Sequence, residues 1–247
     1  MSELDLGVAA YKNGKYDDAT QHFRKATDLD SSPPVAHLYL ATAYSSQYLP
    51  GVESPDHKRL AEQAIEQYQA VLDSDAPLPP RINSAKGIAY LYLNLKQFED
   101  AKRYYQQTWG FDPNDPEPYY SIGVVDWTLC YQPRMEARAN LGLRPDEHLD
   151  ARKREQKNLC DEPRAKNRAL IEEGMDSLNR AIQLGPDYDD AMAYLNLMFR
   201  EPADLECEDP AARRDDLKQA DHWVDRTVAV KKARAGKNLT AMAPSPQ

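Results

Sequence analysis

The chain has 247 residues, with 31 Lys and Arg against 40 Asp and Glu, a net charge of −9, 41% hydrophobic residues and three cysteines. This composition supports a packed core and excludes wholesale disorder, a general nucleic-acid binder with a basic surface, and a disulfide-framed miniprotein. No apolar run approaches the ~18 residues of a membrane span. Residues 1–15 lack the basic start and apolar stretch of a secretory signal, so export would require a leader already removed.

In chain order, the hydrophobic periodicity predicts ten helices. The first pair falls near 3–13 and 16–30, with Gly14-Lys15 between them. The second pair falls near 34–47 and 57–74, separated by a stretch containing Leu49-Pro50-Gly51-Val52. The third pair, near 82–95 and 98–111, ends at Asp112-Pro113, where proline cannot continue a helix and restricts the residue before it. A seventh helix near 116–140 opens on Pro116 and Pro118, which suit a first turn. The eighth is expected near 163–184. The ninth, near 188–200, opens among Asp187, Asp189 and Asp190, where negative charge complements the helix dipole. The tenth spans 211–235, and residues 236–247 read as a mobile tail.

Charge is laid down in blocks. Residues 1–128 carry 11 basic and 18 acidic side chains, 129–168 carry 10 and 7, 169–210 carry 2 and 11, and 211–247 carry 8 and 4. An acidic body thus holds one mildly basic insertion and a basic last helix. Such blocks serve as solvated faces and intramolecular complements, and in some cases as docking sites.

Two stretches repeat. Gly7, Ala19, Phe23 and Ala26 have the spacing of Ala89, Ala101, Tyr105 and Thr108. Small residues let two paired helices approach closely, and the aromatic four residues on lies on the same face and fills the gap. This resembles the tetratricopeptide repeat (TPR) family, a helix–turn–helix unit, and in particular bacterial members carrying motifs such as YYSIGVVDWTLCYQPR and PDYDDAMAYLNLMFRE. Residues 1–32 and 82–115 match without a gap, whereas the second, fourth and fifth units match only when opened between their helices. Thr108 and Thr227 stand where the family prefers alanine. The resemblance implies an all-α fold, an α-solenoid of about five helix pairs stacked as a right-handed superhelix. Repeats lie near 1–33, 34–76, 81–115, 116–188 and 189–235, with insertions in the second, fourth and fifth, forming a single domain over 1–235 and a flexible tail over 236–247.

In this family the first helix of each pair lines an inner wall that binds partners. Carried onto this sequence, those positions are Tyr39, Thr42, Asn83, Lys86, Tyr90 and Asn94, then Tyr120, Val124, Trp127, Tyr194 and Arg200. Tyrosine and tryptophan there offer contact area with a polar handle, and Asn83, Lys86 and Asn94 could pair with a peptide backbone or a terminal carboxylate. The alternative is that Tyr90 and Trp127 fill the core and that an insertion or the last helix fills the groove. The spaced Lys, Asn and Arg set of family members that grip acidic chaperone termini is not reproduced, because Val8, Tyr39 and Thr42 stand in those places.

Cys160 and Cys207 fall in the insertions of consecutive units, so a disulfide between them is sterically plausible and would argue for an oxidising compartment. Two free thiols in a cytosolic protein is the alternative. Cys130, beside Leu129 and Tyr131, reads as a small core residue. His148, Cys160, Cys207 and His222 lack the short spacings of a zinc site, and no GxSxG, HExxH or P-loop occurs. No cofactor, metal or enzymatic activity is therefore expected.

The sequence points to a protein–protein interaction scaffold binding a peptide or partner through the aromatic groove or the inserted edge. A self-associated structural subunit with the groove filled by its own chain is the alternative. The expected partner is a protein or peptide, not nucleic acid and not an inserted membrane. The expected location is the cytoplasm, or the periplasm or exterior if a leader has been removed and the disulfide forms.

Overall fold

A computed structural model describes residues 1–29, 33–145, 147 and 149–241. Among them are ten α-helices and no strand: α1 (Glu3–Lys12), α2 (Tyr16–Thr27), α3 (Pro34–Gln47), α4 (Pro55–Leu72), α5 (Leu78–Asn94), α6 (Phe98–Trp109), α7 (Pro116–Asn140), α8 (Arg154–Leu184), α9 (Asp189–Leu205) and α10 (Pro210–Ala241). The chain divides into two compact units, Met1–Asn114 and Asp115–Gln247.

The first unit holds three helical hairpins, α1/α2, α3/α4 and α5/α6. Ser2 starts α1 with a reciprocal capping box: its hydroxyl accepts from the Asp5 N–H while the Asp5 carboxylate accepts from the Ser2 N–H. Gly7 has no Cβ because one there would collide with the ring of Phe23. That ring is almost wholly buried with Ala19, Leu40, Ala41 and Tyr44. Burying a side chain of this size contributes about 1.5–3 kcal/mol. Thr108 accommodates its hydroxyl at a buried alanine position by donating it to the Tyr105 carbonyl, 2.6 Å away.

The turns within the first and third hairpins share one closure. The N–H of Lys15 reaches the Ala10 carbonyl and that of Gln97 reaches the Tyr92 carbonyl, six-residue bonds with a left-handed residue at the preceding position. That residue is Gly14 (φ 73°) in α1/α2 but Lys96 (φ 60°) in α5/α6.

The second unit holds the hairpins α7/α8 and α9/α10. Leu178 of α8 presses on Gly123 of α7, where a Cβ would collide with it. Ala181, Ala191, Met192, Leu195 and Met198 complete the core. Here the structure corrects the sequence reading. The long insertion is mostly helix: α8 begins at Arg154 and runs through Pro163, and α9 continues past Pro202 to Leu205. Each proline deletes one helical N–H and crowds the preceding turn. Tertiary packing outweighs that cost, since Cys160 and Asn167 around the first proline, and Glu201, Ala203 and Leu205 around the second, are all buried. The intervening segment is pinned by the Arg138 guanidinium donating to the Glu147 carbonyl, by the Gln156 side chain accepting from the Asp150 N–H, and by buried Leu149. Helix α10 runs to Ala241 rather than stopping at 235, as Gly236 alone does not break it. Residues 242–247 of the expected tail lie outside the described residues.

Candidate functional site

The second unit gathers five aromatic rings into one connected wall. Tyr120, Trp127 and Tyr131 recur at seven and four residues along α7, a spacing that places them on one helix face. Tyr188 caps the start of α9, and Tyr194 follows within it. Ring centroids run 5.0 Å from Tyr188 to Tyr120, 5.7 Å from Tyr120 to Tyr194, 5.4 Å from Tyr194 to Trp127 and 4.6 Å from Trp127 to Tyr131. These separations lie in the range of favourable edge-to-face and offset-stacked pairs. All five rings are half-buried, and Tyr120, Trp127, Tyr188 and Tyr194 pack against the core.

The electrostatics keep this wall neutral. Burial pushes the Tyr188 phenol well above its ordinary value, and neighbouring Tyr120, Glu117, Asp190 and Asp115 push the same way. Burial also raises Tyr194, with Asp190 adding to it. Both stay protonated and can donate a hydrogen bond. At the far end Arg134 lies 5.6 Å from the Tyr131 ring centroid while its N–H groups are held by Glu201 and Asp204.

Three expected groove residues, Tyr120, Trp127 and Tyr194, are thus brought together, with half-buried Val124 on the same helix. Arg200 is engaged elsewhere: its guanidinium donates to Asn196 within α9 and to Asp221 of α10, each at 3.0 Å. The sequence reading missed Tyr131 and Tyr188. Their signals were the four-residue step from Trp127 and the position at the helix start after Gly185-Pro186-Asp187.

In the first unit the expected residues form no comparable cluster. Tyr39 is 38% exposed and stacks on Phe23 at 5.4 Å, and Tyr90 is 43% exposed. Thr42 donates to the Leu38 carbonyl, and the Asn94 amide donates to the Tyr90 carbonyl, 2.7 Å away. Asn83 is exposed and Lys86 half-buried on α5. Asn94 also borders a groove of about 1240 Å³ beside α4.

Cys160 on α8 and Cys207, just past α9, are joined as a disulfide with their Cα atoms 6.2 Å apart, within the usual span of such a bond. Lys157–Glu208 and Arg164–Glu206 ion pairs flank it. Cys130 is a buried thiol outside the disulfide. Among the described residues no three His, Cys, Asp or Glu side chains are placed to hold a metal ion, and no helix is long and apolar enough to cross a membrane. His148 lies outside the described residues.

Comparison with known proteins bears on this architecture. Two tetratricopeptide repeat family models match, over residues 4–47 and 87–115. No curated protein matches in sequence. Among solved structures, a MamA structure aligns with a TM-score of 0.60 at 12% identity, covering 94% of this chain and 97% of that one. MamA from Desulfovibrio magneticus RS-1 aligns at 0.60 and 12% identity, covering 94% of each. YrrB, described as a TPR protein with an unusual peptide-binding site, aligns at 0.56 and 13% identity, covering 93% of this chain and 85% of that one. At these identities the likeness establishes the fold. With ten helices in hairpin pairs among the described residues, small residues at the close approaches and two matching repeat models, the chain carries tetratricopeptide repeats and has the fold of a tetratricopeptide repeat protein.

Proposed function

We propose that the chain is a non-enzymatic scaffold that holds an extended segment of a partner protein against the aromatic wall of its second unit. The observation that carries this reading is the continuous run Tyr188–Tyr120–Tyr194–Trp127–Tyr131. Five stacked or edge-packed aromatic rings, four of them resting on the core, offer apolar area at little rotamer cost, the residue chemistry of interface hot spots. The protonated phenols of Tyr188 and Tyr194 add hydrogen-bond donors for a peptide backbone.

A photocrosslinking residue at Val124, between Tyr120 and Trp127, should label the partner, and the same residue at exposed Glu136 should not. Trp127→Ala, with folding verified by circular dichroism, should then weaken binding of that partner tenfold or more. Unchanged affinity would move the site away from the wall.

A second reading, a subunit completed by its own last helix, is favoured by one observation. Helix α10 spends Arg234 and Lys231 on Asp189 of α9, and Asp221 on Arg200. Deleting 211–247 should cause unfolding or dissociation by light scattering if α10 completes the assembly. The Cys160–Cys207 pair supports an oxidising compartment as the place of work, in preference to the cytoplasm.

A further inference from the structure

The groove of about 1240 Å³ in the first unit has no part in the aromatic wall. One side is a face of α4, reached from Lys58, Glu62, Ile65, Glu66, Gln69 and Asp73. The opposite side is the end of α5 and Tyr104 of α6, where Tyr92 and Tyr104 stack with centroids 5.7 Å apart. Gln69 bridges the floor, accepting from the Tyr104 hydroxyl at 2.9 Å and donating to Asp73 at 2.8 Å. The end wall is the loop from Tyr48 to Pro55, part of the residues that open the second repeat, so the groove is a product of that insertion.

Its dimensions suit a chain rather than a small molecule. The lining runs from Pro55 to Asp73, essentially the whole of an 18-residue helix, or about 27 Å at ~1.5 Å per residue. An extended peptide covers that length with about eight residues. The apolar stretch is central, at Ile65, Tyr92, Leu95 and Tyr104.

Charge is polarised along the groove. At the loop end both cations are already spent, Lys58 on Glu62 at 3.7 Å and Lys96 on Glu53 at 3.2 Å. Toward the other end stand Glu66 and Asp73, two helical turns apart on one face. Neither has an ion-pair partner among the described residues. Exposed pairs such as those of Lys58 and Lys96 are individually weak. Glu66 and Asp73 set the sign that a partner must complement.

We propose that this groove binds an extended basic segment of a partner protein. An apolar side chain of the segment lies on the Tyr92–Tyr104 stack, and arginine or lysine side chains meet Glu66 and Asp73. The long stems of those cations cover apolar wall while their heads reach the carboxylates.

The probe is a fluorescein-labelled ten-residue peptide of alternating arginine and leucine, titrated into the full chain and followed by anisotropy. Its counterpart carries glutamate in place of every arginine. Binding of the basic peptide is expected, with little or none of the acidic one. Glu66→Lys/Asp73→Lys should weaken it at least tenfold. Glu136→Lys/Glu162→Lys makes the same change in net charge on exposed positions of α7 and α8 and should cost less than threefold. These four positions are on the surface, so the folds should survive, as circular dichroism checks. Equal losses in the two double variants would reduce the binding to general charge attraction and overturn the proposal, as would equal binding of both peptides. Trp127→Ala should leave this binding unchanged, which separates it from the aromatic wall.

Discussion

Arg134 of α7 donates from Nε and Nη2 to the two carboxylate oxygens of Glu201 on α9, at 2.9 and 2.8 Å, with both side chains almost fully buried. A third donation, from Nη1, reaches Asp204 at 2.7 Å. Burial pushes Glu201 above the usual carboxylate range, partly countered by Arg134. Burial also opposes the Arg134 charge, but Glu201 and Asp204 outweigh it and keep the guanidinium protonated. The ion group joins the last part of α7 to the lengthened end of α9, beside Tyr131 at the end of the aromatic wall.

Removing one partner of such a group leaves a buried charge uncompensated. Glu201→Ala should therefore cost the second unit about 3–5 kcal/mol, read as a lowered urea midpoint. Glu201→Gln keeps the shape and one acceptor and should cost less. Equal and small effects would mean that water reaches Arg134.

The hairpin pairs were legible from the sequence because their signals are local. Gly7, Ala19 and Phe23 give a helix–helix approach within one repeat, and the structure places Phe23 on Gly7 as that spacing requires. The aromatic wall was partly legible. Tyr120 and Trp127 stand at inner-wall positions that the repeat resemblance implies, but their closure through Tyr188 depends on where a different hairpin starts. The Arg134–Glu201 pair, 67 residues apart in sequence, has no local signature. The extra turns of α8 before residue 163 and of α9 past residue 200 were not legible, because the penalty of Pro163 and Pro202 is local while the burial that overrides it is tertiary.

The Cys160–Cys207 bond closes a sequence separation of 47 residues. Alkylation of the unreduced chain should add one adduct, on Cys130, and only under denaturing conditions because that thiol is buried. Reduction should raise the count to three. Cys160→Ser/Cys207→Ser should lower stability by about 2–4 kcal/mol if the bond acts by restricting the unfolded chain. Three adducts without reductant would show that the pair is open, and would return the chain to the cytoplasmic reading.

Lys96 holds a left-handed backbone at the turn where the first hairpin uses Gly14. A residue with a Cβ costs roughly 1 kcal/mol there relative to glycine. Its compensation is an exposed ion pair with Glu53, 3.2 Å away, and such pairs contribute little. Lys96→Gly should thus stabilise the first unit by roughly 0.5–1 kcal/mol, measured by thermal or urea unfolding. A loss of stability would show that the Glu53 contact holds the 48–55 loop in place.

Asp189 at the start of α9 accepts from Arg234 at 2.8 Å, with Lys231 at 3.7 Å, and so ties α9 to the far end of α10. Burial raises this carboxyl, but the Arg234 hydrogen bond and the two cations outweigh it, leaving it below the ordinary aspartate value. The sign follows from that direction. The folded form binds its proton less readily than the unfolded chain, so the contribution is complete above the unfolded value, near pH 4. It is lost as pH falls through the lower folded value. Asp189→Asn removes the charge and keeps the side-chain shape. The variant should have a lower urea midpoint than the parent near neutral pH, and the gap should close as pH falls below about 4. Hydrogen exchange near Arg234 should quicken in the variant near neutral pH and in the parent only in acid. Midpoint curves that stay parallel from neutral to acid would show that the Asp189 charge does not hold α10 in place.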